Sequence, residues 1–119
     1  MKTRLLLIFV FTIFLACDDI IEVVDISGET VKILAPTNDA FLNITDVSFN
    51  WQSIEEAEEY NIQIATPSFA GALQILTDTT LSTTSFSKTL DLGSYQWRVK
   101  AINSGYETEY TTQSFTIEE

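Results

Sequence analysis

Apolar and polar residues alternate along most of the chain after about residue 30, and this repeat of two predicts β-strands. The clearest case is the segment 47–52, in which Val47, Phe49 and Trp51 share one face and polar residues occupy the other. The segments 60–64 and 95–101 show the same pattern, with apolar side chains again at alternate positions. Each segment is therefore expected to form a strand with one face on a core.

Seven strands are expected in all, because other short runs of apolar and β-branched residues lie between turn-forming residues. No convincing helix is predicted. The predicted fold is an all-β, seven-stranded antiparallel sandwich that occupies residues 29–119. The strands are expected at residues 30–35, 47–52, 60–64, 73–76, 83–87, 95–101 and 113–117, and the core at Phe49, Trp51, Tyr60, Trp97 and Phe115.

The first seventeen residues have a different pattern. Lys2 and Arg4 precede an apolar run at residues 5–15, and Ala16 and Cys17 close the segment. This order is typical of a secretory signal peptide, here predicted as residues 1–16. The apolar run is too short for a transmembrane helix, which needs roughly 20 residues.

The end of this segment, Phe-Leu-Ala-Cys at residues 14–17, resembles a bacterial lipobox, although Phe14 stands where that motif usually has Leu, Val or Ile. The resemblance implies a diacylglycerol on Cys17, and three acyl chains would make a permanent membrane anchor. A plain signal peptide with an incidental cysteine is the alternative. Residues 17–28 are predicted to be the lipidated cysteine and an acidic tether, in which Val23 and Val24 are candidates for docking on the domain. The acids at residues 18–22 resemble tracts that send some lipoproteins to the cell surface, whereas in other bacteria aspartate there retains the protein at the inner membrane. The expected location is the outer membrane, at the cell surface or on its periplasmic face.

A second resemblance involves the segment 90–101. Leu90, Gly93 and Tyr95 have the spacing of a tyrosine corner, in which the phenol hydrogen-bonds the chain just before a strand. Together with Trp51 and Tyr60, this segment resembles fibronectin type III domains, and in particular those of bacterial lipoproteins. The resemblance covers residues 30–117 and implies that the fold class is an all-β, seven-stranded antiparallel sandwich of fibronectin type III, immunoglobulin-like type. It implies this fold more firmly than a function.

The charge and residue composition of the chain disfavour several classes of function. After the predicted signal, four basic residues remain against 17 acids, so the formal charge of about −13 disfavours nucleic acid and anionic membranes. The chain has no histidine, which removes the usual base of most hydrolases, and neither an enzyme nor a cofactor is predicted. Residues 55–59 include four glutamates, but they lack the alternate spacing and the glycine of a calcium loop, so no metal site is expected.

The expected function is a lipid-anchored interaction or spacer module that binds a protein partner in the envelope. Pairing is expected at a sheet edge formed by the threonine-rich residues 77–84. The alternative is a glycan-binding lipoprotein of a polysaccharide-uptake system, with Tyr106 and Tyr110 as a stacking platform in the last loop. Phe69, in the loop after the third strand, is expected to pack under the sheet.

Overall fold

The computed structural model describes residues 22–71 and 74–119. These residues form eight β-strands joined by loops and contain no helix. The all-β sandwich expected from the sequence is confirmed. The predicted signal peptide and Cys17 lie outside the described residues, as does Leu73. In order, the strands are β1 (Ile33–Ala35), β2 (Ala40–Leu42), β3 (Asp46–Trp51), β4 (Glu59–Thr66), β5 (Gln74–Leu81), β6 (Ser85–Thr89), β7 (Gly93–Ile102) and β8 (Thr111–Ile117).

The strands form two sheets, one with the order β1-β3-β6 and one with the order β2-β8-β7-β4-β5. All pairs are antiparallel except β2 with β8, which run parallel. Strand β2 is the one that the sequence did not predict, since three residues are too few to show an alternating pattern. Within residues 22–71 and 74–119, no helix is long and apolar enough to cross a membrane.

The core lies between the two sheets and is built around aromatic rings. Phe49 of β3 meets the edges of Trp97 and Phe115 from the opposite sheet, with ring centroids 4.9 and 5.7 Å apart. Edge-to-face pairs of this kind add to the free energy of burial. All five aromatic residues predicted to fill the core are buried, which confirms the alternation in β3, β4, β7 and β8.

The predicted tyrosine corner is present. The Tyr95 hydroxyl donates a hydrogen bond to the Asp91 carbonyl oxygen at 2.7 Å, and Leu90 is buried beside it. The Leu90 amide also donates to the carbonyl oxygen of Thr45 at 2.9 Å. These bonds fix the connection by which the chain crosses from β6 in one sheet to β7 in the other.

The segment just before the domain is held against it. Ile26 is 1% exposed and belongs to the core, and the Asn103 side-chain amide donates to the Val24 carbonyl oxygen at 2.8 Å. The last residues of the segment predicted as a tether therefore pack against the domain. The sequence did not single out Ile26, because one buried isoleucine in an acidic stretch has no repeating pattern.

The strands divide the surface of the sandwich into two poles. One, here called the N-terminal pole, contains residues 22–26 and the loops 52–58 and 103–110, which adjoin the ends of β3, β4 and β7. The other, here called the distal pole, contains segment 43–45 and the loop 90–92. Because β7 runs from the distal pole to the N-terminal pole, its length sets the height of the domain.

Candidate functional site

Two cations and two aromatic rings form a stack on the outer face of the five-stranded sheet. The Arg98 guanidinium carbon lies 4.0 Å from the ring centre of Phe69 and 4.4 Å from that of Tyr110. The Lys100 ammonium lies 4.8 Å from the same Tyr110 ring. These four residues are here called the cation–π ladder. Each such contact contributes about 0.5–1 kcal/mol at an exposed site.

The alternation of β7 places the cations on this face. Trp97 and Val99 point into the core, so Arg98 and Lys100 lie on the other side of the strand. Tyr110 comes directly before β8, the neighbour of β7. Phe69 reaches the stack from the loop between β4 and β5, where its backbone amide donates to Gln96 Oε1 at 2.9 Å.

Phe69 corrects one expectation from the sequence. Its ring lies over Arg98 on the outer face and is half-buried, and it does not pack between the sheets. The guanidinium offers the ring a cation–π contact that an apolar core does not offer. A loop of small residues surrounds Phe69 in the sequence, and nothing in that loop indicates which face of the sheet it will cross.

Hydrogen bonds tie the ladder to the strands beneath it. The Tyr110 hydroxyl donates to Asn61 Oδ1 at 2.6 Å, and Asn61 Nδ2 donates in turn to Asp78 Oδ1 at 3.0 Å. Arg98 Nε donates to Gln63 Oε1 at 2.7 Å. Asn61 is only 8% exposed, so its amide is a buried polar group with its hydrogen bonds made. The network connects β8, β7, β4 and β5 across the sheet.

The charges of this face are balanced locally. The hydrogen bond from Asn61, with a further one from Gln63, holds the pKa of the Asp78 carboxyl below its usual 3.8, and the charges of Arg98 and Lys100 act in the same direction. Lys100 also forms an ion pair with Glu107 at 3.1 Å. The face around the ladder thus contains both signs of charge.

The two tyrosines singled out in the sequence lie in different settings. Tyr106 is 40% exposed at the tip of the β7–β8 loop, where its backbone amide donates to Asn103 Oδ1 at 2.8 Å. Tyr110 is half-buried in the ladder, and its hydroxyl is bonded to Asn61. Among the ring pairs of the described residues, none joins the two tyrosines.

Arg98 and Lys100 were not predicted as site residues, although their outward positions beside a tyrosine could have suggested the stack.

The acidic loop lies at the N-terminal pole. Its turn is closed by a hydrogen bond from the Ala57 amide to the Ile54 carbonyl oxygen at 3.0 Å, and Glu56 has a positive φ of 72°. All four glutamates are exposed. In the part of the chain that the structure describes, no three acidic, histidine or cysteine side chains are placed to share a metal ion.

Strand β5 forms a free edge of the five-stranded sheet. It is eight residues long, and within residues 22–71 and 74–119 it pairs with β4 alone. The strand contains four apolar or amide residues and three threonines, has no lysine or proline, and has Asp78 as its single charge. Natural sheets usually protect a long edge with lysine, proline or a cover. The other three edge strands are shorter. Strands β1 and β2 have three residues each, and β6 has five, with Lys88 among them.

No protein-family model matches the sequence, and no curated protein is similar to it at a significant level. Solved structures do match. A fibronectin(III)-like module of CbhA from Clostridium thermocellum has a TM-score of 0.53 at 10% identity, over 75% of this chain and 96% of that one. A fibronectin type III domain of the human KIAA0970 protein has a TM-score of 0.54 at 15% identity, over 77% and 74%. The structure named FN3tt has a TM-score of 0.53 at 13% identity, over 74% and 95%.

At these identities the likeness concerns the fold alone. The described residues form a fibronectin type III-like domain, as the tyrosine corner and the core tryptophan of β3 had implied.

Proposed function

We propose that this protein is a lipid-anchored, non-catalytic interaction module of the bacterial cell envelope, in which Cys17 carries the lipid and the domain contacts a protein partner. The signal-like segment, with Leu15 and Ala16 directly before the single cysteine, supports the anchor. The proposed location is the outer membrane, either at the cell surface or on its periplasmic face.

The free edge of β5 is the observation that supports a protein partner most directly. Its outer side offers a row of backbone amides and carbonyls, so an extended segment of another protein can add to the sheet as a further strand. The exposed Thr79 and Thr80 leave that edge accessible, and its single charge, on Asp78, does not repel a basic segment. Backbone hydrogen bonds would supply the affinity, and the side chains beside the edge would supply specificity.

Charge favours a basic partner. The mature chain has an excess of about 13 negative charges, which speeds encounter with a positively charged surface and makes the association rate fall as salt is added. Arg98 and Lys100 do not alter this preference, because Asp78 and Glu107 neutralise them within the ladder.

The glycan-binding alternative has less support. A sugar platform needs a flat ring that is open on one face. Tyr106 meets this condition only in part, at 40% exposure, and the Tyr110 ring already contacts two cations. A glycan array with the intact protein is the appropriate test of this alternative.

The proposal is tested by affinity capture from native envelope with three forms of the protein. These are the wild type, Cys17→Ala, and Thr79→Lys at the β5 edge. A lysine at Thr79 places a charge where an added strand would lie. Ser48→Lys is the matched control, since Ser48 is also exposed but lies on the central strand β3 and receives the same change in charge.

Three results are expected. Mass spectrometry finds an acylated Cys17 in the wild type, a defined set of proteins is captured with it, and Thr79→Lys loses that set while Ser48→Lys retains it. An unmodified cysteine overturns the anchor. Equal capture by Thr79→Lys and Ser48→Lys overturns the role of the β5 edge.

A further inference from the structure

Residues 23–26, here called the N-terminal strap, are packed against the N-terminal pole. The Val24 carbonyl oxygen accepts from Asn103 Nδ2 at 2.8 Å, and Ile26 is buried in the core. The Val23 side chain lies 3.3 Å from the position that a Cβ on Gly105 would occupy, so a larger residue at 105 would require Val23 or the loop to shift by a few tenths of an ångström. Glu22, Val23 and Asn103 line one shallow depression, which places the first described residue at this pole.

The strap shortens the distance that the proposed anchor can span. From Cys17 to Glu22 there are five Cα–Cα steps, which reach at most about 18 Å however the chain between them is arranged. A free tether extending to Gly28 would instead reach about 40 Å. Docking of the strap therefore more than halves the distance available between the lipid and the domain.

The height of the domain decides what this difference means. Strand β7 has ten residues and runs between the two poles, so the poles lie about 30 Å apart. If the distal pole rested on the membrane, the N-terminal pole would be held at about this height. A reach of about 18 Å cannot span that height, whereas a reach of about 40 Å could.

We propose that the N-terminal pole is the membrane-facing surface of this protein, and that the lipid bilayer holding Cys17 is the surface it faces. The inference rests on the proposed lipid anchor. The strap excludes the inverted orientation, in which the distal pole would rest on the membrane to which the protein is attached.

The surface chemistry of the two poles alone would not impose this orientation. The distal half exposes four large apolar side chains, with Phe41 70%, Ile44 54%, Leu92 52% and Ile75 51% exposed. On a long tether these residues could settle onto the bilayer, because burial of apolar surface is favourable. The N-terminal pole presents exposed glutamates, Glu56 and Glu58 among them, beside the exposed side chains of Val24 and Tyr106. The strap thus keeps the apolar surface available to a partner.

The test uses the full lipidated protein in vesicles that contain lipids with a quencher on the headgroup. A fluorophore is attached through Ser104→Cys at the N-terminal pole or through Glu118→Cys at the distal pole, both exposed positions. A third form has about twenty Gly and Ser residues inserted between Ile21 and Glu22, which lengthens the tether beyond the height of the domain. The same insertion after Glu119 is its control.

The label at residue 104 is expected to be quenched several-fold more than the label at residue 118. The insertion before Glu22 is expected to remove most of this difference, and the insertion after Glu119 to leave it intact. Equal quenching at both labels in the form without an insertion would overturn the orientation. Mass spectrometry of the N-terminal peptide separates the two proposals, because an unacylated Cys17 contradicts the anchor itself, whereas equal quenching of an acylated protein contradicts only the orientation.

Discussion

Asn103 binds the chain at two distant points, since its side-chain amide donates to the carbonyl oxygen of Val24 at 2.8 Å and to that of Glu56 at 3.3 Å. Its Oδ1 atom accepts from the amides of Gly105 and Tyr106. One buried asparagine thus connects the strap, the acidic loop and the β7–β8 loop. The geometry of the N-terminal pole depends on this side chain.

The substitution Asn103→Asp is expected to free the strap while retaining the loop. Aspartate can still accept from Gly105 and Tyr106, but it has no donor for Val24 and Glu56, whose carbonyls it would repel. We expect a loss of roughly 1–3 kcal/mol in the free energy of unfolding. Hydrogen exchange should show faster exchange at residues 24–29 and little change in β7. Unchanged protection of the strap would contradict the role assigned to Asn103.

Ile26 tests whether the strap belongs to the core. Ile26 is 1% exposed, so the substitution Ile26→Ala leaves a cavity in the core. We expect a loss of about 2–5 kcal/mol in the free energy of unfolding. Val24→Ala is the matched control, because that side chain is 49% exposed and its loss should change stability by less than about 0.5 kcal/mol. Urea denaturation measures both. Similar small effects would mean that the strap does not contribute to the core.

Tyr95→Phe removes the bond of the tyrosine corner and leaves the ring in place. The lost hydrogen bond to the Asp91 carbonyl should cost about 1 kcal/mol, and somewhat more if the carbonyl is left without water. Tyr106→Phe removes the same atom from an exposed loop and should be near neutral. Urea denaturation gives the unfolding midpoint of each variant, and the midpoint of Tyr95→Phe is expected to be the lower one. Equal midpoints would show that the tyrosine corner adds no stability.

The sequence predicted the centre of the fold better than its edges. In β3 and β7 one face is buried, so apolar and polar residues alternate, and Phe49 and Trp97 were placed correctly. Strand β5 was predicted only at residues 73–76, because an exposed edge permits threonine on both faces. The eighth strand, β2, is held by pairing with β8, which a three-residue segment does not reveal.

The ladder could be predicted only in part. Tyr110 was singled out because it lies in a loop, whereas its contacts depend on which strands are neighbours. Phe69 and Arg98 are far apart in the sequence and meet only because β4 and β7 pair. The docking of Ile26 has the same origin, since long-range contacts of single side chains have no repeating signal in the sequence.

The hydroxyl and ring of Tyr110 should make separable contributions. Tyr110→Phe leaves Asn61 Oδ1 without its 2.6 Å bond and should cost roughly 1–3 kcal/mol, while the ladder remains. Tyr110→Ala also removes the contacts with Arg98 and Lys100, each contributing about 0.5–1 kcal/mol. A double-mutant cycle with Arg98→Met measures the ring contact. A coupling energy of zero in that cycle would contradict the ladder.

Asp78 should make part of the stability depend on pH. Its pKa is lowered in the folded protein, chiefly by the hydrogen bond from Asn61, so the carboxylate stabilises the fold above its usual pKa of 3.8. This contribution is lost as pH falls through the lowered pKa, since both states are then protonated. The stability difference between the wild type and Asp78→Asn should therefore be constant from about pH 5 to 8 and shrink steadily below about pH 4.

Urea denaturation of both proteins over that range measures the effect. Glu29→Gln is the control, because it removes one negative charge from an exposed position outside the ladder. Screening by water keeps the contribution of Asp78 small, so the informative quantity is the pH at which the difference disappears. A difference that grows on acidification would mean that the folded state raises the pKa of Asp78. That result would contradict the hydrogen-bonded arrangement of Asn61 and Asp78.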